Sequence, residues 1–319
     1  MNPRPFRFIA PMPKLGGSVQ VWRDSIRRIE DLGFSTLSVS DHFTAGWVME
    51  PLIALTAAAE LTSTIRLLTL VLSNDYRHPV QLHKAFATLD VLSGGRVEIG
   101  LGAGWMESEY DAGGIRFDPA PVRLARLEES VAVVDGLFGA GPFSFSGRHY
   151  TINSLDGLPK PVQRPRPPVM IGGGGRTALE LAARVADIVG VHARLRGSRP
   201  GAGAAADLRA DRLADKVEWV RSAWRTAGRG DGGPELQFTV YLVDVTDSPH
   251  AARRSVSSFA ESLAADEAVM AHSPAVLTGS VEGCVERLLE IREQFGFSYF
   301  NLGADVDMVA PIVERLAGR

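Results

Sequence analysis

Cysteine is almost missing from this 319-residue sequence, in which Cys284 is the only example. One thiol forms no internal disulfide, and it leaves no Cys-rich zinc site or iron–sulfur cluster to consider. Lysine is scarce as well. Only Lys14, Lys84, Lys160 and Lys216 occur, and none stands at a strand end where a Schiff base could form. An excess of positive charge is also lacking: 34 Lys and Arg against 37 Asp and Glu give a net charge of −3. No basic field is available to hold nucleic acid or an anionic membrane. The longest apolar stretches, around Leu52–Ala59 and Leu67–Leu72, fall far short of a membrane span. Met1-Asn2-Pro3-Arg4-Pro5 is followed by no apolar signal-peptide core, so the expectation is a soluble, cytoplasmic protein. The 7 histidines show no H-E-x-x-H spacing, and neither a G-x-S-x-G elbow nor a G-x-x-x-x-G-K-[ST] loop occurs.

What is present is an alternation of short β-like runs with helical stretches from end to end. Strands are expected at Phe6–Ala10, Thr36–Ser40, Ile65–Leu72, Val97–Leu101, Pro168–Ile171, Ile188–Val191, Gln237–Val243 and Ser298–Leu302. The intervening helices show apolar residues at helical spacing, as at Val21, Ile26, Ile29 and Leu32, or begin at proline, as at Pro51 and Pro79. Eight such units predict an α/β fold, a closed (β/α)8 barrel in a single domain over 1–319, with a doubly wound open sheet as the other solution. Three segments interrupt the rhythm. Residues 141–168 read as a hairpin plus an extended connection, 196–206 as a mobile active-site loop, and 266–280 as irregular structure.

In a barrel of this kind, function sits in the loops after the strands. Ser40-Asp41-His42-Phe43 follows the second strand, with Trp47 close behind. The adjacent carboxylate and imidazole can exchange protons with a substrate; taken alone, a capping Asp and a structural His explain them more simply. After the third strand, Ser73 and Asn74 can hydrogen-bond a planar ligand, or serve as turn formers. Gly102-Ala103-Gly104-Trp105 follows the fourth strand, where glycines let backbone N–H groups approach an anion. It is not a dinucleotide fingerprint, because the third glycine of that motif would fall at Trp105. Gly172-Gly173-Gly174-Gly175-Arg176 opens the helix after the fifth strand and suits a phosphate, with Arg176 supplying charge, although a flexible loop is the competing reading. Anion cradles with few self-sufficient catalytic groups suit a phosphate-bearing cofactor that brings its own reactivity.

The segments SDHF at Ser40–Phe43, LVLSNDYRHP at Leu70–Pro79, TLDVLSGGRVEIGLGAGW at Thr88–Trp105 and LPKPVQRPRPPVMIGGGG at Leu158–Gly175 resemble the luciferase-like monooxygenase superfamily. Within it they are similar to the coenzyme F-420-dependent oxidoreductases. The matching pieces span most of the first 190 residues in family order, and the last third is similar only in pattern. The resemblance implies a barrel holding F-420, or alternatively FMN, at its C-terminal mouth, and a homodimer. A non-proline cis peptide is expected at Thr69–Leu70 behind the cofactor ring. The implied cofactor contacts are Asp41, Thr69, Leu70, Ser73, Gly102, Ala103, Gly104 and Gly172 to Arg176. His42 would handle a proton, with Asp41 orienting it or bonding the ring, and Trp47, Asn74, Trp105, Glu109 and His192 would line the substrate pocket. Members that oxidise sugar phosphates carry a glutamate where this chain has Trp105, which argues against that substrate. Three functions are then open. The first is hydride transfer between F-420 and a small organic substrate. The second is an FMNH2- and oxygen-dependent monooxygenase supplied by a flavin reductase, and the third a flavin-binding protein without turnover.

Overall fold

The aliphatic runs of the sequence assemble as the staves of one barrel. The computed structural model describes residues 4–44, 46, 49–194, 202–303 and 305–319. Its barrel strands are β1 (Arg7–Pro11), β2 (Thr36–Val39), β3 (Arg66–Thr69), β4 (Val97–Gly102), β5 (Val169–Gly173), β6 (Ile188–Val191), β7 (Glu235–Thr239) and β8 (Phe297–Asn301). Each pairs in parallel with the next, and β8 returns to β1 in the register Arg7↔Tyr299, so the sheet has no free edge. The open-sheet alternative is excluded by that closure.

Helices cover the outside, and local chemistry starts them. Ser18 caps Val19–Asp31, which buries Trp22, Ile26 and Ile29. Pro51, Pro79 and Pro249 occupy first helical positions, where the missing N–H costs nothing. Pro142–Ser146 and Thr151–Asp156 form the expected antiparallel hairpin. Among the described residues no helix is long and apolar enough to cross a membrane.

Two strand expectations need correction. The seventh does not run to Val243: it leaves the barrel after Thr239, and Leu242–Val245 pairs with Val276–Gly279 in a separate two-stranded parallel sheet. Residues 266–280 are accordingly not irregular, since they hold the helix Glu267–Ala271 and that partner strand. Of the expected mobile loop, 196–201 lies outside the described residues, and the rest falls in the short helix Ala202–Asp207.

Inside the barrel, Ile9, Leu68, Met170, Ile188 and Tyr299 pack together with Leu70 against them. Below them the floor is polar. Glu98 is buried between Arg7 and Arg66 and lies 2.8 Å from the Tyr299 hydroxyl. Burial alone would raise its pKa, but the two guanidiniums hold it below the usual carboxylate range. Alternation along each strand carries the interior face from Glu98, Met170 and Ile188 upward to Gly100 and Gly102, to Gly172, and to Gly190. The upper interior on the β4–β6 side is therefore lined by glycine.

The third strand contains the feature that shapes the mouth. Leu68 pairs with Glu98 and Leu72 with Leu101, so the chain after β3 spends one residue more than β4 over the same interval. The extra length is a bulge at Leu70 and Val71, whose peptide bond is cis. The cis bond thus falls one residue later than the Thr69–Leu70 position expected. The Thr69 hydroxyl bridges the gap in the ladder, donating to the Gly100 carbonyl at 2.8 Å and accepting from the Gly100 N–H at 2.9 Å. A Cβ on Gly100 would stand 1.7 Å from the Thr69 carbonyl oxygen. Gly100→Ala should therefore lower the unfolding free energy in urea by about 3 kcal/mol or more; an unchanged midpoint would contradict this packing of the bulge.

Candidate functional site at the barrel mouth

The bulge aims Val71 into the mouth. Its methyls lie 2.8 Å from where a Cβ on Gly102 would stand and 3.4 Å from that of Gly172. The His192 Nε2 also lies 3.4 Å from the Gly172 position and 2.8 Å from that of Gly190. Val71 and His192 thus share a platform that the missing side chains of three strands make possible. Burial and the nearby Lys216 push the His192 imidazole down to about 4. Lys216, itself fully buried, donates to the His192 carbonyl at 2.8 Å and to Asp207 at 3.0 Å, fixing the exit of β6.

On the opposite side, the two carboxylates near His42 have separate partners. Asp41 accepts both Arg77 nitrogens, at 2.6 and 3.1 Å, and the Ser73 N–H at 3.1 Å. Arg77 reaches on to Glu50 at 2.8 Å. Asp41 therefore ties the β2 exit to the turn after β3. The group bonded to the His42 Nδ1 is Glu109, at 2.8 Å, which corrects the expectation that Asp41 orients this ring. The other Glu109 oxygen accepts the N–H groups of Phe43 and Thr44, at 3.0 and 3.1 Å, and the Thr44 hydroxyl at 2.8 Å. Burial would raise the pKa of Glu109; the bonds from His42 and Thr44 outweigh it and hold the carboxyl low. Burial, Glu109 and Asp41 together push the neighbouring Tyr76 phenol up to about 12.

The remaining expected residues divide. Trp105 stands at the mouth, its ring 6.0 Å from His42 and edge-on. Ser73 is buried, with its hydroxyl 3.0 Å from that of Tyr110. Thr69 is fully buried with its hydroxyl spent on Gly100, so its side chain does not face the mouth. Leu70 packs downward on the barrel core. Asn74 is fully buried in the turn Asn74–Tyr76 and lines no open surface, which corrects its placement in a substrate pocket. Trp47 lies outside the described residues.

The glycine cradles also read differently in three dimensions. Gly104 has φ +75° and leaves room for the Tyr110 hydroxyl, while Arg123 clamps the Ala103 and Gly104 carbonyls at 3.1 and 3.3 Å. A Cβ on Gly174 would meet the Ala193 backbone at 2.6 Å, and one on Gly173 would meet Ala178 at 2.9 Å. Much of the demand for glycine is therefore close packing. Yet the helix Arg176–Val185 begins at Gly175 with no side-chain cap, a state shared by Ala120–Phe138 and Ala210–Thr226, whereas Ser18, Glu50, His78 and Asp305 cap the helices after β1, β2, β3 and β8. Its first N–H groups are left for another acceptor. Arg176 pairs with Glu180 at 2.7 Å, and the Arg194 Nε lies 3.5 Å from the Gly175 Cβ position.

Val71, Arg77, Phe43 and Arg194 were not among the expected site residues. Val71 sits in a run where every neighbour is apolar, so no pattern marks a bulge. The arginines look like any others in a chain rich in them.

The luciferase-like monooxygenase family profile matches residues 7–299, and the chain belongs to that family. Its relatives use two kinds of cofactor. The chain is 28% identical over 201 residues to an FMNH2-dependent dimethylsulfone monooxygenase of Pseudomonas putida, covering 58% of this chain and 55% of that protein. It is 32% identical over 166 residues to an F420-dependent glucose-6-phosphate dehydrogenase of Amycolatopsis mediterranei, covering 50% and 49%. These matches span about half the length of the relatives. Among solved structures, an F420-dependent secondary alcohol dehydrogenase in complex with an F420-acetone adduct superposes with a TM-score of 0.76, covering 98% of both chains at 19% identity, a likeness of fold.

Two histidines, His83 buried and His192 half-buried, make the fold acid-sensitive. His83 and His192 both lie near 4, against an ordinary 6.5. Between those values the unfolded chain binds more protons than the folded one, so stability should fall as pH drops from about 6.5 to about 4. Urea midpoints across that range should decline, and less steeply in His83→Phe; a flat profile would contradict the lowered pKa of these rings.

Proposed function

We propose that the chain is an oxidoreductase that moves a hydride between coenzyme F-420 and a small organic substrate at the barrel mouth. The observation that carries this reading is the His42–Glu109 pair, an imidazole held by a buried carboxylate across the mouth from a glycine-backed platform. The residues fit a planar, phosphate-tailed cofactor. Val71 and His192 offer a face for a ring, and the uncapped N–H groups at Gly175–Arg176, with Arg176 and Arg194 beside them, suit an anion. When bound, F-420 supplies the two-electron chemistry at its C5.

The chain's own work is orientation and proton handling. Glu109 fixes the ring of His42 through Nδ1, so any proton passed to or from a substrate oxygen moves through Nε2. Asp41, through Arg77 and the Ser73 N–H, keeps the turn after β3 against the β2 exit and so holds Val71 in position. Trp105, beside the imidazole, excludes water from the reacting face. A second reading rests on the longer of the two quoted matches, that to the Pseudomonas monooxygenase: FMN in place of F-420, with oxygen as co-substrate and a flavin reductase as partner.

Titrating the protein with F-420 and with FMN, each followed by fluorescence, tests the cofactor. Micromolar binding of F-420 with little binding of FMN is expected, and the reverse preference would replace the first reading by the second. With the bound cofactor and a substrate found by screening carbonyl and alkene acceptors, His42→Ala should lower kcat at least about a hundredfold with cofactor affinity retained. Glu109→Gln should give a smaller loss in the same direction. Equal losses of binding and rate would make His42 a binding group instead.

The same reading includes a homodimer. Helices Pro51–Ala59 and Pro79–Leu92 share a surface groove lined by Leu52, Ile53, Leu89 and Leu92, and Ile53 is 72% exposed. A second copy covering this face explains the exposure. Sedimentation should find a dimer that Ile53→Lys converts to monomer; a monomeric parent would remove the homodimer from the proposal.

A further inference from the structure

Two aromatic side chains flank the His42–Glu109 pair. Trp105 stands edge-on to the imidazole at 6.0 Å. Phe43, the residue after His42, is 54% exposed, which is high for a ring of its size. It is nevertheless well fixed. Its backbone N–H is held by Glu109, and its ring stacks on Tyr76 with centroids 4.5 Å apart. Tyr76 leans on Tyr110 at 5.2 Å, and Tyr110 on Phe117 at 4.9 Å. The carboxylate that orients the imidazole thus also fixes the exposed ring, on a buttress of three further aromatic groups.

Charge decides what rings so placed can take. Arg77 is spent on Asp41 and Glu50. Arg126 is spent on Asp75 and Asp118, at 2.7 and 2.5 Å. Arg123 is spent on the carbonyls of Ala103, Gly104 and Asp118. Each of these three guanidiniums is neutralised or saturated within the protein, as Asp41 in turn is by Arg77, while the Glu109 carboxylate bonds His42. A phosphate or carboxylate on a substrate would meet the Glu109 carboxylate and find no unspent guanidinium among these three. Flat, polarisable rings are what the surface does match.

We propose that Trp105 and Phe43 are the substrate-recognition residues and that these rings take an uncharged planar compound, an aromatic or conjugated carbonyl, with its oxygen toward His42. The proposal names the substrate class of the function proposed above and rests on its placement of the reacting face at His42. Ligand-observed saturation-transfer NMR tests it on the whole chain, alone and saturated with whichever of F-420 and FMN it binds. The probes are benzylideneacetone (an uncharged planar enone), cinnamate and glucose 6-phosphate. Benzylideneacetone should bind, with the two anions at least about tenfold weaker. Phe43→Ala and Trp105→Ala should each weaken the enone about tenfold, and Trp105→Phe should stay within about threefold of the parent. Thermal melting checks that the variants fold, and Phe43→Ala, altering an exposed ring, carries the test if Trp105→Ala does not. Equal binding of either anion, unchanged enone binding in Phe43→Ala, or no enone binding in either form would overturn the proposal. The function reading fails separately, on the cofactor titration or on turnover retained by His42→Ala, neither of which alters the enone measurement.

Discussion

A parallel barrel closes only if neighbouring strands keep step, and in this protein β3 does not keep step with β4. The surplus residue has to be housed without breaking the ring of hydrogen bonds. The Thr69 hydroxyl does this by bonding both backbone groups of Gly100, replacing a rung of the ladder with a side chain. Gly100 is then obligatory because the Thr69 carbonyl occupies the space of its Cβ, and Gly102 because Val71 does so one layer higher. The same displacement raises Val71 to the mouth and places the turn that carries Ser73 and Arg77 within reach of Asp41. Much of the site's geometry descends from that accommodation.

Around it, buried carboxylates distribute the work. Glu98 locks the barrel floor between two arginines, far from the mouth. Asp41 joins two loops and leaves the imidazole beside it to another residue. Glu109 gathers one ring nitrogen, two backbone N–H groups and a hydroxyl, so a single side chain determines where His42 and Phe43 stand. Removing charge from such a centre leaves several donors unsatisfied at once, which is why its effects should reach rate and recognition together.

The barrel was legible in sequence because its signals are local. Aliphatic runs such as Val97–Leu101 and helix-starting prolines such as Pro51 and Pro79 act over a few residues, and all eight barrel strands overlap the expected segments, three of them lying wholly inside. Misplaced boundaries share one cause. Gln237–Val243 is continuously suitable for a strand, and only the pairing of Leu242–Val245 with Val276–Gly279 divides it. Ile65–Leu72 likewise hides a bulge that composition does not mark.

For the candidate site, the sequence by itself determined which loops carry it and which residue types they offer: an imidazole after β2, glycines after β4 and β5, an indole at Trp105. Tertiary structure alone decided the partnerships. His42 and Glu109 are 67 residues apart, and no spacing rule joins them. Asn74 and Thr69 carry the chemistry expected of ligand contacts yet lie beneath the surface, while Val71, which has no polar group, forms part of the platform. Local sequence governs backbone conformation within an element, but which side chains meet is set by closure of the barrel, when the ends of different strands are brought to one face.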